Sequence, residues 1–225
     1  SNRGISMNRD GTAIRPDREI KEYGDLVNFL NKLNADWVTA MKRVSPEVLM
    51  EWLMQTHEGY VSCLEKLDPN SDAKFSVAWA GEKVSTNWFH IAREYTEKWH
   101  HQQQIREAVS KPGILTNEFY KPVLDTFMRA LPFRYEKTQA EEGTSVRISV
   151  GVPVNNAWTL LRSQQRWVLS DVDGEADQTS VTIPAEVSWK LFTKAVRYEE
   201  VKSLIQVEGE EPLALPALQM VTVMA

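Results

Sequence analysis

His90-Ile91-Ala92-Arg93-Glu94-Tyr95-Thr96-Glu97-Lys98-Trp99-His100-His101-Gln102-Gln103-Gln104-Ile105-Arg106-Glu107-Ala108-Val109 is the stretch around which the chain is read. At 3.6 residues per turn, Trp88, Ile91, Ala92, Tyr95, Trp99, Ile105 and Val109 fall on one broad apolar side, while His90, Glu94, Glu97, His101 and Gln104 stack along the other. The spacing predicts a helix that carries a line of potential ligands. Three of the four histidines of the protein lie here, two of them on the polar stripe. Glu97 and His101, four apart, are neighbours on it and would hold one metal ion together, because imidazole nitrogen and carboxylate oxygen are ordinary ligands for zinc and similar divalent ions. A polar stripe opposite an apolar one is also what any surface helix shows, so plain solvation is the competing reading. A full site needs a third protein ligand from elsewhere.

The 225 residues suffice for one large domain or two small ones, and 42% hydrophobic with 25% charged content is that of a soluble globular protein. Eight tryptophans suggest large buried anchors. A net charge of -5 with no basic run argues against nucleic acid as a partner. Cys63 stands alone, which excludes an internal disulfide and a thiolate metal cage, and its apolar helical setting predicts a buried, inert thiol. No apolar run approaches the ~20 residues of a membrane span and no signal peptide is present, so a cytoplasmic protein with no membrane partner is expected.

The chain opens on Ser1, and residues 1–11 read as the end of one element running into a polar connector, which predicts native residues upstream and, with them, a helix able to carry a further ligand. Over 17–44, Ile20, Tyr23, Leu26, Val27, Leu30, Leu33, Trp37, Val38, Met41 and Val44 keep helical spacing. Ser45-Pro46-Glu47 starts the next helix, with Ser as N-cap, Pro in the first turn and an acid against the positive dipole end. That helix runs to about Leu67 with Leu49, Trp52, Leu53, Tyr60, Val61, Leu64 and Leu67 inward, and with His57 near the seam as a hydrogen-bonded structural residue. A short apolar connector at 75–81, whose Trp79 plugs the bundle end, precedes the opening helix. Lys111-Pro112-Gly113 stops that helix, and Thr116-Asn117-Glu118 begins another with Phe119, Val123, Phe127 and Leu131 inward and Pro122 near its first turn.

After Pro132 the period changes from helical to alternating. Residues 145–150, 157–162 and 166–169 read as strands, with Ser163-Gln164-Gln165 as a hairpin loop. The acidic stretch 171–177 lacks the ligand spacing of a calcium loop and reads as a polar turn. A strand at 181–183, a helix opened by Pro184-Ala185-Glu186, a β segment at 204–209 and a last helix from Pro212 towards Met224 complete the chain. The expectation is an α+β protein: a helical bundle over 1–132 and a small α+β domain over 133–225.

These features together resemble a known family. Glu97-Lys98-Trp99-His100-His101-Gln102-Gln103-Gln104-Ile105-Arg106 in a four-helix bundle, followed by an α+β domain with Trp158, Trp167, Ile183-Pro184 and Leu191-Phe192, is similar to the mycothiol-dependent maleylpyruvate isomerases of the DinB-like superfamily. The resemblance covers most of the chain and is strongest over 75–113. It implies a DinB-like bundle with a sterol-carrier-like C-terminal domain. It also implies a divalent metal, zinc first and nickel or another ion next, bound by Glu97 and His101 with a histidine from a first helix that has no counterpart here. Gln104 stands where relatives often have Asp, a neutral amide in place of a carboxylate that would orient His101.

Two functions follow as expectations. The first is a metal-dependent transferase or isomerase that uses a low-molecular-weight thiol such as mycothiol on a small-molecule substrate, with His90 and Glu94 a turn or more away on the same stripe. The second is a non-catalytic small-ligand-binding protein of the same fold, its polar stripe merely buried and hydrogen-bonded. No oligomeric state is implied by either.

Overall fold

The computed structural model describes residues 8–9, 12–13, 16–73, 76–170 and 179–222. Contacts divide the chain into two units, one up to Leu67 and one from Asp68 to Met224. The expected division at residue 132 marks where the period changes, but the helices just before it share a core with the sheet that follows.

The first unit holds two paired two-residue strands, β1 (Asn8–Arg9) and β2 (Thr12–Ala13), and two helices, α1 (Tyr23–Met41) and α2 (Pro46–Glu65). The helix expected from residue 17 starts only at Tyr23, because Asp25 folds back to accept the backbone N–H groups of Lys21 and Glu22 in a capping box. Ser45 caps α2 as expected, its Oγ accepting from the Val48 N–H at 3.4 Å with Pro46 in the first turn. No residue of α2 is fully buried, but of the expected inward set Leu49, Tyr60, Val61 and Leu64, with Leu67 just beyond the helix, are half-buried, whereas Trp52 and Leu53 lie open, Leu53 at 69% exposed. Val48, Met50 and Met54 also lie open, so the first half of the helix carries apolar residues beyond its half-buried side. His57 is likewise exposed rather than set in a seam, and Cys63 is exposed rather than buried.

The second unit begins with a short 3₁₀ turn at Ala78–Ala80, followed by α3 (Asn87–Ala108), α4 (Asn117–Met128) and α5 (Leu131–Arg134). Trp79 plugs a small cluster with Val77, Ala80 and Phe89, meeting the Phe89 ring edge-on at 5.6 Å. Gly81 ends that turn at φ 77°, where a Cβ would lie 2.5 Å from the Phe133 ring, so only glycine fits. Five strands follow: β3 (Ser145–Val150), β4 (Asn156–Ser163), β5 (Arg166–Ser170), β6 (Thr179–Ile183) and β7 (Gln206–Glu208). Their order is β5-β4-β3-β6-β7, antiparallel except for the central pair β3 and β6. Gln164 and Gln165 turn β4 into β5 with φ of 50° and 61°, the left-handed pair that suits the twist of a two-residue hairpin.

Three helices complete the unit, α6 (Ala185–Phe192), α7 (Tyr198–Val201) and α8 (Glu211–Leu218), with a 3₁₀ turn at Lys202–Leu204 before β7. The last helix stops at Leu218, short of the expected Met224. Because successive strand residues alternate faces, Val146, Ile148, Val150, Leu160, Val181 and Ile183 turn together into one core. Tyr120, Val123, Leu124 and Phe127 of α4, Trp189 and Phe192 of α6, and Leu213, Ala217 and Leu218 of α8 join it. Phe119, read as inward, is instead 43% exposed. The expected polar turn at 171–177 lies outside the described residues.

Candidate site on the polar stripe of helix α3

Helix α3 packs through a face that hydrophobic spacing does not single out. Its buried residues are Phe89, Thr96, Trp99 and Gln103, whereas Trp88, Tyr95, Ile105 and Val109, expected inward, are exposed. At 100° per residue the buried line sits roughly a quarter turn from the predicted one. Polar side chains can lie there because each finds a local partner. Thr96 Oγ1 donates to the Arg93 carbonyl at 2.7 Å, and Gln103 Oε1 accepts the Ile114 N–H at 2.9 Å. Trp99 Nε1 donates to the Ile114 carbonyl at 3.1 Å, and its ring stacks on Tyr120 at 4.5 Å. Gly113 lets the loop close over this face, since a Cβ there would stand 3.0 Å from the Gln103 amide.

The stripe of His90, Glu94, Glu97, His101 and Gln104 runs along a different side of the helix. Near its start, Arg93 Nη2 donates to Glu94 Oε1 at 2.9 Å and lies 3.3 Å from His90 Nδ1. A guanidinium only donates, so His90 accepts at Nδ1 and carries its proton on Nε2. Burial holds the His90 pKa below its ordinary 6.5, and the Arg93 charge adds to this while Glu94 opposes it.

One turn further, His101 Nε2 lies 3.9 Å from Glu97 Oε2, and His101 Nδ1 lies 3.0 Å from Gln104 Oε1. Glu97 and His101 therefore face each other. They do not point into a closed interior: their side chains are 40% and 67% exposed. A carbonyl oxygen only accepts, so the neutral ring that bonds Gln104 Oε1 is the Nδ1–H tautomer, with its Nε2 lone pair beside the Glu97 carboxylate. These are the donor types and the tautomer that a zinc-like ion takes. Among the described residues, however, no group of three or more His, Cys, Asp or Glu comes together to hold an ion.

His100, next to His101, belongs to neither the stripe nor the well-paired buried face. Its ring lies 5.6 Å from that of His101 and meets Trp189 edge-on at 5.7 Å, and its buried Nε2 has no hydrogen-bond partner. Burial, then the neighbouring His101, lowers its pKa from 6.5. Sequence spacing gave no role to His100, and none to Arg93, whose guanidinium ties His90 to Glu94. A one-turn offset of Arg from His on a helix is the signal that would have flagged the latter. A cavity of about 430 Å³ also exists, lined by first-unit residues that include Ile20, Asp25, Phe29 and Lys32. Its charged groups are already engaged, Asp25 in the α1 cap and Lys32 with Asp17 and Asp36.

No protein-family profile matches the chain, and no curated protein matches it. Solved structures similar to part of it include the sterol carrier protein domain 2 of Helicoverpa armigera, 16% identical over 40% of this chain and 79% of that one, with a TM-score of 0.32. Sterol Carrier Protein 2 Like 2 from Aedes aegypti is 11% identical over 44% of this chain and 95% of its own, also at TM-score 0.32. Sterol Carrier Protein 2 from Yarrowia lipolytica is 8% identical over 44% and 88% respectively, again at 0.32. No described helix is long and apolar enough to cross a membrane.

Proposed function

We propose that the protein is a metal-dependent transferase or isomerase that uses a low-molecular-weight thiol, built on a DinB-like four-helix bundle as in the maleylpyruvate isomerases, with Glu97 and His101 as metal ligands. The observation that carries this reading is the arrangement at His101, whose Nδ1 lies 3.0 Å from the Gln104 carbonyl while Nε2 faces Glu97 at 3.9 Å. A divalent ion, zinc first and nickel next, supplies when bound an open position at which a thiol such as mycothiol is held as its thiolate at neutral pH. Glu97 and His101 are the two side chains that hold the ion, and a third donor has to join them from outside the described set. Arg93 and Glu94 orient His90, which offers an Nε2–H towards a small-molecule substrate on the same stripe.

The second reading is a non-catalytic small-ligand-binding protein. What favours it is the donor count, since two partly exposed ligands hold an ion weakly and stable sites of this type take three from the protein. Metal analysis of the full-length protein separates the two. About one divalent ion per chain is expected, and it is lost in His101→Ala and in Glu97→Ala. Equal metal content in all three proteins would remove the enzyme reading and leave the binder.

A further inference from the structure

Helix α3 places three side chains in a row at intervals of four and three residues, with the imidazole in the middle. Glu97 lies on the N-terminal side of the His101 ring and Gln104 on the C-terminal side, each reaching a different ring nitrogen. A neutral imidazole has one N–H and one lone pair, so which neighbour receives the proton decides what the ring offers the other. If Nε2 carried the proton it would donate to the Glu97 carboxylate, and the pair would close on itself with no lone pair beside the acid. In the structure that contact is 3.9 Å, beyond hydrogen-bond length, while the Gln104 contact at 3.0 Å is within it. Two acceptors set side by side without a bond between them are what a cation would satisfy.

We propose that Gln104 is a positioning residue for His101: its side-chain carbonyl draws the proton to Nδ1 and so keeps the Nε2 lone pair open beside Glu97. This inference rests on the metal-site reading above. Gln104 does the orienting work of a carboxylate without its charge. The site consequently keeps Glu97 as the single anion of this trio.

The test is the protonation pattern of the His101 ring, read by nitrogen-15 NMR on the metal-free full chain above pH 7.5, together with zinc titration of the same samples. The wild type should show the Nδ1–H form. Gln104→Leu, which keeps a good helix former but removes the acceptor, should move the proton to Nε2 and weaken zinc binding about tenfold. Gln104→Glu should restore the Nδ1–H form and bind zinc at least as tightly as the wild type. A wild type already protonated on Nε2, or a ring pattern unchanged in Gln104→Leu, overturns the proposal even if zinc binds. The expected ring patterns with no zinc bound by any form would instead uphold the role of Gln104 and overturn the metal-site reading. Circular dichroism confirms that both variants keep the helix.

Discussion

Gln103 and Gln104 are adjacent, chemically identical, and opposite in what they do. Gln103 is 6% exposed and gives its carbonyl to a backbone N–H eleven residues on, tying the loop at Ile114 to helix α3. Gln104 is exposed and gives its carbonyl to a side chain three residues back. A 100° step round the helix separates the two roles. Buried polar groups survive where the backbone satisfies them, and such bonds fix structure; a side chain held by another side chain in partial solvent fixes little and is left to serve chemistry. Polarity alone therefore does not separate the packing face of α3 from its candidate site, whereas the identity of each partner does.

The contrast predicts a large effect on the packing face. Gln103→Leu leaves the Ile114 N–H without its acceptor, and a part-buried donor left unpaired costs about 1–3 kcal/mol. Chemical denaturation should report that loss, with amide exchange at Ile114 rising more than in the strands. A variant as stable as the wild type would show that Trp99 and Arg106, which donate to the Ile114 and Pro112 carbonyls, hold the loop without Gln103, and that the two glutamines do not differ in kind.

His100 sharpens the comparison from between the two faces. Because burial holds its pKa below 6.5, the folded state resists a proton that the unfolded chain accepts. Protons bind the unfolded state in excess just below pH 6.5, so stability present above that value declines as pH falls through the window beneath it, ending at the lower folded pKa. His90 adds to the same decline, its pKa being lowered mainly by burial too. The melting temperature should accordingly drop between pH 7.5 and 5.0, and His100→Phe, which keeps an aromatic ring against Trp189, should reduce that drop. Identical drops in both proteins would mean that His100 does not sense its burial.

Much of the sheet is legible in the sequence, most plainly in β3 and β6, where buried and half-buried residues alternate. The readings 145–150, 157–162 and 166–169 match β3, β4 and β5 to within a residue at either end, and of the loop read over Ser163-Gln164-Gln165 the two glutamines make the turn while Ser163 ends β4. The packing face of α3 was not legible, since Trp88, Tyr95, Ile105 and Val109 make an exposed apolar stripe that outweighs the real one. Thr96 and Gln103 add nothing to a hydrophobic pattern, yet the turn at 110–116 supplies the backbone bond that buries Gln103. At the stripe, spacing puts Glu97 beside His101, but neither their exposure nor the contact of Nδ1 with Gln104 can be read from spacing, because both depend on rotamers.

The smallest effect is expected on the stripe itself, and it discriminates most sharply between a site and a structural feature. Glu97 and His101 are 40% and 67% exposed and stand 3.9 Å apart, a pair too loose and too wet to contribute more than about 0.5 kcal/mol. In metal-free protein, Glu97→Ala and His101→Ala should therefore leave the denaturation midpoint nearly unchanged, while added zinc should stabilise only the wild type, since an ion bound to the folded state alone shifts unfolding by mass action. Alanine at either position also raises helix propensity slightly, which works against any loss. If either substitution cost more than about 1.5 kcal/mol without metal, the stripe would be carrying packing as Gln103 does. The two sides of α3 would then be alike, and an acid and an imidazole held apart with a lone pair between them would need no ion to explain their place.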